Sequence, residues 1–105
     1  MTEASNPIPE NAAIARCMRE WQRVYREKRA KKESSFSASR DAAPAYRRAM
    51  PPLSGQKNIP DFIACVAHGM LIGAIDGKDG TKLLYAAQVT LATLRRESSP
   101  PKAAA

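Results

Sequence analysis

The residues best equipped for chemistry in this sequence are cations. Arg16, Arg19, Arg23, Arg26, Lys28, Arg29, Lys31 and Lys32 fall within 17 consecutive positions, with only Glu20 and Glu27 among them, a local net charge of +6. The planar fork of arginine grips phosphate oxygens in pairs. A protein that sets several such cations against phosphates binds nucleic acid strongly and in a salt-sensitive way. An acidic protein surface suits the same face. The segment 58–94, in contrast, holds Lys78 and Lys82 against Asp61, Asp76 and Asp79, a net charge of −1. The formal charge of the whole chain, +7 over 105 residues, is therefore concentrated in one stretch. Arg40, Arg47 and Arg48 offer secondary basic contacts, and Arg95 and Arg96 add charge near the other end.

Other chemistries fail on residue type or spacing. His68 is the single histidine, and no acid lies three or four residues from it. It reads as a core or interface histidine bonded to backbone, with a pH-sensitive contact as the alternative. One histidine and two well-separated cysteines, Cys17 and Cys65, cannot supply a zinc tetrahedron. With no Cys-x-x-Cys and no secreted framework, the cysteines read as buried thiols acting as small hydrophobes. The run 76–81 invites a calcium-loop reading. Placing Gly80 at loop position 6 puts Ile75, Gly77 and Ala86 where oxygen ligands belong, so it fails. No glycine-rich phosphate loop occurs, and no serine sits in an ordered apolar context. The expectation is a non-enzyme with no metal, no cofactor and no catalytic residue.

The element that must carry the cations is a helix over 10–32. Ile14, Cys17, Met18, Trp21, Val24 and Tyr25 recur at three- and four-residue spacing, one apolar stripe. Arg16, Arg19, Arg23 and Arg26 fall on the other side. Arg16–Glu20 and Arg23–Glu27 have the spacing of helical ion pairs. The stripe stops after Tyr25, so 26–32 projects into solvent or meets a negative partner. A polar connection over 33–40 holds Phe36. A short helix then follows over 42–50, with Ser39 or Asp41 as N-cap and Pro44 in its first turn. Pro51 and Pro52 end it.

A third helix is expected to begin at Asn58 and continue to about 75, apolar over most of its circumference and hence central. Its uncharged run, 62–75, is shorter than the roughly 20 residues a membrane span needs. Cys65, Gly69 and Gly73 are four apart and read as a small-residue groove for a neighbouring helix or a second copy of the chain. A turn at 76–81 leads to a fourth helix over 81–96, with Leu83, Leu84, Ala87, Leu91 and Leu94 as its stripe. Residues 1–9 and 97–105 read as loose ends, and 1–9 lacks the apolar stretch of a signal peptide.

The expected fold is all-α, one small helical domain over 10–96 in which a long basic amphipathic N-terminal helix packs on a C-terminal antiparallel helical hairpin. The hairpin does not resemble a DNA-reading helix-turn-helix, because only Lys82 is basic near the start of its second helix. A membrane-surface role is disfavoured because the Trp21 face is needed for the core. The expected function is a non-enzymatic, cytoplasmic nucleic-acid-binding accessory protein (DNA or RNA), phosphate-directed and of little sequence specificity. The alternative is a protein-interaction module, an adaptor or inhibitor of mobile-element or phage type, whose basic face meets an acidic partner or a nucleoprotein complex. Homodimerisation through the small-residue groove accompanies either reading.

Overall fold

Asn11 starts the first helix by turning its side-chain oxygen onto the N–H of Ile14 at 3.0 Å, which satisfies one of the orphan donors of the first turn. Helix α1 (Ala12–Ala30) follows. The computed structural model describes residues 11–98. The ends expected to be loose, 1–9 and 99–105, lie outside the described residues, whereas 97 and 98 complete the last helix. Helices α2 (Ser35–Arg48), α3 (Asn58–Leu71) and α4 (Gly77–Ser98) complete an all-helical chain, with no strand among the described residues.

Helix α2 departs most from expectation. It starts at Ser35 rather than 42, because Ser34, not Ser39 or Asp41, is the N-cap and accepts from the N–H of Ser37 at 3.1 Å. Pro44 therefore lies inside the helix rather than in its first turn. It leaves the Arg40 carbonyl without its usual helical donor. The added turns bury Ala38, which joins buried Ala42, Ala43 and Ala45 on the rest of the helix. Small side chains at this spacing let two helices approach closely, and α2 makes its main contact with α1. The two run antiparallel: Arg16 donates to the Ala49 carbonyl at 3.0 Å, and Lys28 lies 3.8 Å from Asp41.

Helix α3 ends at Leu71, not at 75. Gly73 has φ +79°, the left-handed conformation that closes a helix with two reversed hydrogen bonds. The Gly73 N–H donates to Met70 at 3.2 Å, and the Ala74 N–H to Gly69 at 2.8 Å. Helix α4 starts four residues before its expected onset, because Asp76 caps it. The Asp76 carboxylate accepts from the Lys78 N–H at 3.0 Å and its carbonyl from the Gly80 N–H at 2.8 Å. Asp79 in the first turn complements the helix dipole. Met70 lies over Gly80, while Ile63 shares one depression with Leu84 and Gln88, so α3 and α4 are antiparallel.

The centre of the molecule joins α1, α2 and α3. The largest fully buried side chains are Tyr46, Ile59, Val66, Cys17 and Cys65. The Tyr46 hydroxyl donates to the Cys65 carbonyl at 2.6 Å. Cys17 and Cys65 are free thiols whose sulfurs lie 3.9 Å apart. Asn11 reaches Asp61 at 3.4 Å, so α1 and α3 run in the same direction where they meet. Leu83, Leu84, Ala87, Leu91 and Leu94 of α4 pack against the same core. No helix of the described residues is long and apolar enough to cross a membrane.

Candidate functional site

The apolar stripe of α1 decides where its cations point. Ala13 and Cys17 are buried, and Ile14, Met18 and Trp21 pack on the core. Trp21 stacks on Tyr25 with ring centroids 4.9 Å apart. Arg16, Arg19, Arg23, Arg26 and Arg29 are then exposed, followed by Lys31 and Lys32 at the helix end, while Lys28 is half-buried.

The cations divide into tethered and free. Arg16 is held by the Ala49 carbonyl, where a cation complements the negative end of α2. Arg23 pairs with Glu20 at 3.0 Å, one turn back, rather than with Glu27. Lys28 lies 3.8 Å from Asp41, and Arg29 donates to the Glu33 carbonyl at 2.9 Å. Among the described residues, the side chains of Arg19, Arg26, Lys31 and Lys32 have no hydrogen-bond or ion-pair partner. Lys32 also has φ 68°. It occupies the left-handed closing position of α1, where glycine is the residue of lowest cost. Its N–H donates to Arg29 at 2.9 Å, and that of Glu33 to Lys28 at 3.2 Å.

The secondary cations have separate surroundings. Arg40 lies 6.0 Å from the centroid of the Phe36 ring and bonds Ser37 at 3.3 Å. Arg47 donates to the Ala74 carbonyl at 2.7 Å, tying α2 to the turn before α4. Arg48 is exposed. Phe36, Ser39, Arg40, Ala43, Arg47, Ile72 and Gly73 line an open depression of about 440 Å³. Phe36 itself is 75% exposed. Its sequence signal was an aromatic among serines, a few positions after Lys31 and Lys32 and four before Arg40.

The small-residue set on α3 does not form one groove. Cys65 faces Cys17 of α1. Gly69 is buried where a Cβ would lie 2.7 Å from Ile75 and 2.9 Å from Tyr46. Gly73 is exposed in the turn after the helix. His68 is half-buried and stacks on Tyr46 at 6.4 Å, a ring partner in place of the expected backbone one. Burial pushes the Cys65 thiol up to about 12, with neighbouring Cys17 adding to the rise. Cys17 and Tyr46 are also raised, each chiefly by burial. These groups hold the core together as neutral species. Among the described residues no cluster of three or more His, Cys, Asp or Glu has a metal-holding arrangement. Set against protein-family models, curated proteins and solved structures, the chain matches none of them.

Proposed function

We propose that this protein is a non-enzymatic nucleic-acid-binding accessory protein that uses the outer face of α1 to contact phosphates with little sequence specificity. The observation that carries the reading is the free cation set, Arg19 and Arg26 on α1 and Lys31 and Lys32 in the turn that closes it, all exposed and without a side-chain ion pair to any described residue. Solvent-exposed cations without partners are available to phosphate at no cost of breaking ion pairs. Arg23 and Arg29 adjoin them, and Arg48 is exposed on α2. Lys32 supports the reading further, since a lysine in a glycine-type conformation trades stability for a charge at that position. The test is titration of labelled duplex and single-stranded oligonucleotides at low and at physiological salt. Tight binding at low salt that weakens steeply between about 50 and 200 mM supports the proposal. Absence of binding at low salt refutes it.

A second reading, a protein-interaction module, draws on the other pair of helices. Leu71 and Tyr85 are 81% and 67% exposed there. An open depression of about 480 Å³ is lined by Ile63, Thr81, Leu84, Tyr85 and Gln88. Apolar exposure of this kind suits a protein partner or a second copy of the chain better than phosphate. Affinity purification from cell extract with and without nuclease separates the two readings. Partners lost with nuclease belong to the first, and partners kept belong to the second. Either reading goes with a cytoplasmic location.

A further inference from the structure

We infer that the depression beside Phe36 seats an unpaired nucleotide, so that the preferred ligand is single-stranded rather than duplex nucleic acid. The inference rests on the proposed phosphate-binding role of α1 and names the substrate class of that surface. A side chain as apolar as Phe36 gains from burial, yet its ring is 75% exposed in the first turn of α2. The Arg40 guanidinium lies 6.0 Å from the ring centroid, close enough for cation–π attraction. Phe36, Ser39, Arg40, Arg47 and Ile72 surround an open depression of about 440 Å³, with a hydroxyl, an apolar wall and two cations, of which Arg40 lies 3.7 Å from Asp41 and Arg47 is held by the Ala74 carbonyl. Base faces stack on exposed aromatic rings whatever their identity, while neighbouring arginines take the backbone phosphate. A paired base cannot offer its face to a ring, so this arrangement distinguishes an open strand from a duplex.

Continuity with α1 supports the same ligand. Lys32 is four residues from Phe36, and a chain of that length spans at most about 14 Å. Lys28 beside Asp41 places the cationic end of α1 against the early turns of α2. A single strand lying along the free cations of α1 therefore reaches Phe36 within one or two further nucleotides. An acidic peptide would satisfy Arg40 and Arg47 but has no flat ring to match Phe36, so the open strand is the better occupant.

The test compares wild type with Phe36→Ala, Phe36→Trp and Arg40→Gln, using labelled single strands of about twelve nucleotides, within the site sizes such surfaces cover, and the matching duplex. Phe36 is exposed, so its replacement leaves the fold intact, and circular dichroism checks this. The expected result is that Phe36→Ala weakens single-strand binding roughly ten-fold and duplex binding by less than about two-fold. Phe36→Trp retains single-strand affinity, and Arg40→Gln lowers it. Single-strand affinity that ignores Phe36, or an equal loss on both ligands, overturns the inference while leaving phosphate binding by α1 intact. Failure of both oligonucleotides to bind overturns the parent reading as well. Capture of polyglutamate with the same dependence on Phe36 assigns the depression to acidic protein and also overturns it.

Discussion

Helices α1 and α3 end in the same reversed-hydrogen-bond turn, but with opposite choices of residue. At the end of α3 the left-handed position is Gly73, φ +79°. At the end of α1 it is Lys32, φ 68°. The backbone demand is the same, and a residue with a side chain meets it at a cost of about 1 kcal/mol or more. The α3–α4 pair takes the relaxed solution, and it is the pair with the long apolar run and near-neutral charge. The α1–α2 pair keeps a cation where glycine would be more stable, and that cation continues a row of others. The contrast indicates a division of labour. Tyr46, Ile59 and Val66 hold the fold together, and the outer face of α1 is free to meet a partner.

The largest expected effect tests the core side of that division. Tyr46→Ala should destabilise by about 4 kcal/mol, since it removes a fully buried aromatic ring and orphans its hydrogen bond. Urea denaturation measures it. A loss near that of an ordinary surface substitution would mean that the junction of α2 and α3 is not the core. Gly69→Ala comes next, at about 2 kcal/mol, because its Cβ would press on Tyr46 and Ile75. The two closing positions then sharpen the comparison directly. Gly73→Ala should cost about 1 kcal/mol, whereas Lys32→Gly should stabilise by a similar amount while weakening oligonucleotide binding. Equal signs at the two positions would remove the argument from strain.

A separate test concerns pH dependence. Burial raises Cys65 from 9.0 to about 12. A thiol raised on folding contributes stability that is complete below pH 9.0 and is lost as pH climbs toward about 12, because the unfolded chain ionises first. Thermal melts across this alkaline window should fall less steeply for Cys65→Ala than for wild type. A parallel decline would place the thiol outside the core.

The strongly periodic helices were legible in the sequence, and the reasons for the rest are local. The stripe from Ile14 to Tyr25 located α1, and the apolar run after Phe62 located α3. Helix α2 was half-hidden because its buried stripe is alanine, which carries little hydrophobic contrast, and because Pro44 reads as a start signal. The start of α4 was obscured by Gly77 and Gly80, which resemble a turn until Asp76 is seen as the cap. The meeting of Cys17 with Cys65 depends on how α1 crosses α3, which periodicity does not encode. For the candidate site, the cation row was visible from composition. Its division into tethered and free members was not, since Arg16 and Arg47 are held by carbonyls more than 25 residues away in sequence.

The central claim is that the free face of α1 meets phosphate, and the salt dependence of binding tests it most directly. Affinity for a single-stranded oligonucleotide, plotted as log Kobs against log salt, should lose about 1.4 units of slope in the variant Arg19→Gln, Arg26→Gln, at roughly 0.7 per phosphate contact. Folding stability should remain within about 0.5 kcal/mol, as for other surface substitutions. The matched control Lys78→Gln, Lys82→Gln, on the exposed start of α4, should leave the slope unchanged. A slope unaltered by the α1 substitutions, or altered equally by those on α4, would contradict the account.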